Sequence, residues 1–207
     1  MRHPKLEELI ATLEQLRAPG GCAWDREQTH ESLVRYLLEE TYELVDAIES
    51  GSDQALIEEL GDVLYQVIFH SDIAASENRF TLEDVAAYMN AKMIGRHPHV
   101  FGDRVAETAD DVVAMWDDLK KVEKPGRTSV LDGVPQAMPS LLLADKLLGK
   151  TVFDAPAISW ESEEVLGAEL LGIVAAAKAQ GLDAERALRG ALRSLQDDIR
   201  ASESSVE

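Results

Sequence analysis

Between residues 37 and 70 the chain reads LLEETYELVDAIESGSDQALIEELGDVLYQVIFH, and its carboxylates are spaced for joint chemistry. Glu39, Glu40 and Glu43 stand at i, i+1 and i+4. On a helix they share one side, within an arc of about 100°. Asp46 extends the row by a turn, and Leu33, Leu37, Leu44, Val45 and Ile48 lie beside it. Glu59 and Asp62 stand at i and i+3 among Leu60, Val63, Leu64 and Val67. The short link SGSD makes the two segments antiparallel neighbours, so their acidic faces meet. Two carboxylates about 4 Å apart repel by roughly 4 kcal/mol at an effective dielectric near 20. A cluster of four or five opposes folding or takes up protons unless a cation sits among them. Mg²⁺ suits such a site, because it takes oxygen ligands and bridges carboxylates to substrate phosphates. Mn²⁺ suits the same ligands.

Cationic and aromatic residues of the right types occur further on. Lys92 and Arg96 are spaced i, i+4, as are Trp116 and Lys120. Lysine and arginine are natural phosphate ligands, and tryptophan offers a face for stacking. Taken alone, each is read first as an ordinary surface or core residue. Trp24, in the loop CAWD, is either a packing anchor or a platform for a base. His70, His97 and His99 match no common zinc spacing; His97 and His99 are expected to structure a loop, and His70 to sit in or near the core. Only Glu27–His30 has the Glu-x-x-His spacing of a di-iron bundle, which needs two such pairs. Cys22 is single, so the chain cannot form an internal disulfide.

Helical periodicity runs through almost the whole chain, and strand-like alternation is nearly absent. The fold class expected is all-α, a helical bundle with a helical C-terminal extension. Helices are expected at about 4–17, 30–50, 54–78, 82–96, 109–123, 136–149, 162–180 and 184–200. Asp53, Thr81 and Thr108 are the expected caps of three of them. RAPGGCAWD and RHPHVFGD read as structured loops, the second with a helix-stopping Pro98, and the closing SESSVE is expected to fray. EKPGRTS separates an acid-rich portion, 1–124, from an Ala- and Leu-rich one, 125–207. The 207 residues are 45% apolar, enough for a real core. No apolar run is long enough to span a membrane, and no secretory leader is visible, so a cytoplasmic location is expected. The net charge of −19 repels DNA, RNA and anionic lipid. A polyanionic substrate is accommodated only with cations between it and the carboxylates.

Four segments taken in order, GGCAWDREQTHESL, LLEETYELVDAI, EELGDVLYQVIFH and RHPHVF, closely resemble the MazG family of nucleoside triphosphate pyrophosphohydrolases, over about residues 4–124. The resemblance implies Mg²⁺-dependent hydrolysis of NTPs or dNTPs to monophosphate and pyrophosphate, on an all-α fold that dimerises. Glu40, Glu43, Glu59 and Asp62 match the family's metal-ligand positions, and Glu39 is a water-orienting candidate. Lys92, Arg96, Trp116 and Lys120 match positions that contact phosphate and nucleotide. SVLDGVPQAMPSLLLADKL resembles the connector of two-domain members. EEVLGAELLGIV and RALRGALRSL echo the acidic and basic helices, with Val165 and Ala168 where Glu59 and Asp62 would stand. This implies that 125–207 is a connector followed by a truncated, degenerate repeat without a metal site. A non-catalytic regulator on the same fold, or a pyrophosphohydrolase acting on dUTP or a phosphoribosyl-nucleotide, shares the same acidic pattern.

Overall fold

The computed structural model describes residues 3–123, 126–151 and 157–204, the side chains of 117, 118, 120 and 121 excepted. Its regular structure is helical, with no strand among the described residues. The helices are α1 (Pro4–Arg17), α2 (Ala23–Glu27), α3 (His30–Ser50), α4 (Asp53–Ser76), α5 (Leu82–Arg96), α6 (Pro98–Phe101), α7 (Ala109–Glu123), α8 (Ser140–Leu148), α9 (Glu163–Ala179) and α10 (Ala184–Ser204). They belong to two compact units, residues 1–112 and 113–207.

In the first unit α3 and α4 form a long antiparallel hairpin, with α1 and α5 packed on α4. The hairpin is built locally. Thr29 caps α3 with a reciprocal pair of bonds to Ser32. Gly51 ends α3 at φ 68, a left-handed turn that glycine enters without strain. Ser52, not Asp53, caps α4: its hydroxyl accepts from Ala55 N, and Asp53 becomes the first helical residue. There Asp53 still favours the helix by its charge. The unit's core is Leu13, Leu33, Ile68, Phe69 and Ile73, drawn from α1, α3 and α4. Arg17 of α1 reaches across it. Its guanidinium pairs with Asp72 of α4, donates to the Asp25 carbonyl, and lies 5.2 Å from the centre of the Phe69 ring.

A second tie joins the hairpin nearer its open end. His30 Nδ1 and His70 Nδ1 are 2.7 Å apart, and the two rings are parallel to within 6°. The centroid separation, 5.0 Å, equals that bond plus one ring radius at each end, so the imidazoles lie end to end in a common plane. Arg79 Nη2 donates to His30 Nε2, because a guanidinium has no acceptor. His30 therefore carries its hydrogen on Nδ1 and donates it to His70 Nδ1. Both available lone pairs are spent, and a further proton on either ring breaks one of the two bonds. Glu77 pairs with the same guanidinium, through Nε and Nη2. Burial first, and the His30 charge second, push the His70 pKa below its usual value. The folded protein then binds fewer protons than the unfolded chain in the window below about 6.5, and this contribution to stability is lost as pH falls through it. The melting temperature of wild type minus that of His70→Gln is expected to shrink between pH 7.5 and pH 5.5. A difference that stays constant with pH removes the assignment.

Several boundaries differ from the sequence expectation. The loops 17–25 and 96–103 contain short helices, and Pro98 starts one rather than only stopping another. Proline's missing N–H costs nothing in a first helical turn. In the second unit α8 begins at Ser140 and not at 136, because Pro139 is its N-terminal flank. The C-terminal helix runs to Ser204, so fraying does not begin at Ser202; the rest of the expected frayed segment, 205–207, lies outside the described residues. Glu203 accepts from Val130 N, and Ser202 donates to the Ile199 carbonyl. The core of this unit joins α8 and α10 with the preceding turn, through Leu131, Val134, Leu143, Leu147, Leu192 and Ile199. Helix α9 contributes no buried residue.

Candidate metal centre

The acidic faces of α3 and α4 do meet. Glu40 and Glu43 from α3 and Glu59 from α4 each bring a carboxylate oxygen within 4.8 Å of the others. Asp62 lies close enough to act electrostatically on both Glu40 and Glu59. Glu39, one residue from Glu40, is exposed and adds to the field on it. Burial and then the neighbouring carboxylates, Asp62 foremost, raise the Glu40 pKa above the usual carboxylate value. Burial, then Glu43, Glu58 and Asp62, raise that of Glu59. A site that strains to hold protons is a site short of positive charge. Glu59 Oε2 is moreover a buried acceptor with no partner among the described residues. Hard oxygen donors on two helices, one of them orphaned, fit a divalent cation of the Mg²⁺ or Mn²⁺ type. Among the described residues this is the one group of three or more metal-capable side chains.

The remaining expected site residues are distributed more widely. Lys92 and Arg96 lie on α5, both half-buried, and α5 packs on α4. Trp24, on α2, is 49% exposed, with its ring edge-on to Tyr36 of α3 at 5.6 Å. Tyr36 sits one turn before Glu40 on α3. Trp116 is half-buried on α7, in the second unit. Lys120 is on the same helix, but its side chain lies outside the described residues. The histidines take no part in the carboxylate cluster. His97 Nδ1 bonds the Met93 carbonyl at the end of α5, a loop-structuring role. Cys22 flanks the start of α2 and is half-buried. The sequence reading does not single out Gln66, although an amide inside the run Val63–Phe69 is a visible irregularity.

An all-α unit whose central hairpin gathers carboxylates from both helices is a helical fold with a candidate metal centre. Residues 28–101 match the MazG nucleotide pyrophosphohydrolase domain. The chain is 38% identical to the nucleoside triphosphate pyrophosphohydrolase/pyrophosphatase MazG of Thermotoga maritima, across 97% of this chain and 86% of that protein. It is 40% identical to the nucleoside triphosphate pyrophosphohydrolase of Escherichia coli K12, across 69% of this chain and 56% of that one. An uncharacterized 26.1 kDa protein of Streptomyces cacaoi is 46% identical across 96% of this chain and 83% of its own length. The chain belongs to the MazG nucleotide pyrophosphohydrolase family.

Proposed function

We propose that this protein is a nucleoside triphosphate pyrophosphohydrolase, using Mg²⁺ to release pyrophosphate from NTPs or dNTPs. The observation that carries the reading is the convergence of Glu40, Glu43 and Glu59 across the hairpin, with Asp62 beside them. These four are the proposed metal ligands. A divalent ion bound there supplies charge neutralisation at the triphosphate and activates water for attack. Glu39, exposed next to Glu40, is placed to orient that water and accept its proton. Lys92, Arg96 and Lys120 are proposed to hold the phosphates and stabilise the pyrophosphate that leaves. Trp24 is proposed as a platform for the base, and Trp116 as a nucleotide contact. Residues 1–124 then form the catalytic region, and 125–207 a connector with a degenerate second repeat.

A homodimer is part of the same proposal, and the substrate site is expected to lie near its interface. Val34, Leu38, Tyr42, Val45 and Ile48 leave a stripe of apolar surface along α3, and Ile57, Leu60, Leu64 and Val67 do so along α4. Such a double stripe is what a partner helix pair buries. No single helix is long and apolar enough to cross a membrane among the described residues. The net charge of −19 argues against nucleic acid as a partner.

The test is a panel of NTPs and dNTPs with Mg²⁺ or Mn²⁺, following monophosphate and pyrophosphate together. Equimolar production of both is expected. Orthophosphate instead of pyrophosphate, or no turnover with any nucleotide, overturns the reading. Ion binding to the native form is also expected to stabilise it, by about 2.7 kcal/mol at 100 times the Kd. A melting temperature that does not respond to Mg²⁺, and is not lowered by chelator, speaks against the ligand set.

A further inference from the structure

Gln66 is 94% buried, with 6% of its surface exposed, and its Oε1 has no hydrogen-bond partner among the described residues. Leaving a buried amide unpaired costs about 1–3 kcal/mol, and an apolar residue of the same shape avoids that cost. His99 Nδ1 and Gln196 Nε2 are also buried and unpaired. Position distinguishes Gln66 from both. At about 100° per residue, Glu59, Asp62, Gln66 and His70 fall within an arc of about 80° on α4. Glu59 at one end of this row converges with Glu40 and Glu43 of α3, and His70 at the other bonds His30 of α3. Gln66 lies between them on the face turned to α3, one turn, about 6 Å of rise, beyond Asp62.

An orphaned carbonyl oxygen in that place calls for a donor. The carboxylates of the same row, Glu59 and Asp62, are acceptors only when ionised and cannot provide one. A small divalent ion can, because it retains several of its waters, and groups beyond the direct ligands orient that shell. We propose that Gln66 is a positioning residue of the metal centre, its carboxamide oxygen accepting a hydrogen bond from the hydration shell of the ion held by Glu40, Glu43 and Glu59. The inference rests on the metal-site reading above. It adds a neutral residue that makes no direct bond to the ion.

The experiment is binding of Mn²⁺ alone to the full chain, followed by electron paramagnetic resonance, beside the melting temperature in chelator. Gln66→Met keeps the shape of the side chain and removes the amide. Affinity about 10-fold or more weaker than wild type is expected, in the range that such supporting contacts contribute. The metal-free melting temperature is expected to stay level or rise, because an unpaired buried amide is gone. Gln66→Glu retains an acceptor oxygen and is expected to bind Mn²⁺ at least as tightly as wild type. Unchanged affinity in Gln66→Met, with a lowered metal-free melting temperature, makes the amide a core residue and overturns the inference alone. Equal weakening in Gln66→Glu and Gln66→Met also overturns it. Wild-type protein that fails to bind Mn²⁺ overturns the metal centre itself, and this inference with it.

Discussion

Replacing Glu59 by glutamine is expected to abolish pyrophosphate release and, at the same time, to raise the melting temperature of the metal-free protein. The two effects share one cause. Glu59 faces Glu43 and Asp62 across and along the hairpin, and its Oε2 is buried without a partner. Without a cation the folded state confines these charges together, whereas the unfolded chain disperses them. Neutralising one relieves the folded state selectively. The sign follows from protonation as well. The raised pKa values of Glu40 and Glu59 mean that the metal-free fold binds more protons than the unfolded chain just above pH 4.5. Metal-free stability from these two groups therefore falls as pH rises through that window. Glutamine mimics the protonated form at every pH. On the proposed metal-centre reading, the Glu59 charge would help to hold the ion that neutralises the triphosphate, a contribution of several kcal/mol. About 4 kcal/mol corresponds to roughly 10³ in rate. Pyrophosphate release at saturating Mg²⁺, paired with thermal melts in chelator, measures both. Glu59→Gln that turns over normally, or that melts lower without metal, separates Glu59 from the site.

Phe69→Ala is expected to be the most damaging single change in the first unit, at about 3–5 kcal/mol. That is a large share of the roughly 5–15 kcal/mol that holds a domain folded. The Phe69 ring is 1% exposed and packs edge-on against Tyr65 at 5.8 Å. It is also the surface against which Arg17 lies while reaching Asp72 and the Asp25 carbonyl. Removing it leaves a cavity among Leu13, Leu33, Ile68 and Ile73 and uncovers an ion pair whose arginine side chain is only 11% exposed. Urea unfolding followed by circular dichroism reads the loss directly. A cost below about 1 kcal/mol would mean that the core closes over the gap, contrary to the close packing of interiors.

Much of this was readable from residue order, for reasons that can be stated. The hairpin depends on signals contained within it: Thr29 before α3, Gly51 after it, and a period of 3.6 throughout. The acidic row depends on the same period, so Glu40, Glu43 and Glu59 could be placed on facing sides before any coordinate. Residue order and structure part where a neighbouring residue competes for a local role. Ser52 and Asp53 are both good caps, and only backbone geometry chooses between them. Gln136, Ala137 and Met138 are all good helix formers, but Pro139 resets the start of α8. The His30–His70–Arg79 chain was beyond reach, because it joins residues forty and forty-nine positions apart. Burial of Gln66 was hidden for a similar reason. An amide in a helix reads as surface until the helix's neighbours are known.

The link between α3 and α4 consists of Gly51 and Ser52 alone. Glu40 and Asp62 are therefore separated by a short stretch of chain, and closing it sacrifices little chain entropy. Contacts so local in sequence are those that form early and quickly, on the timescale of helix pairing rather than of remote docking. The acids consequently crowd one another while the rest of the molecule is still assembling. Their mutual repulsion therefore bears on the hairpin while it forms as well as on the finished protein.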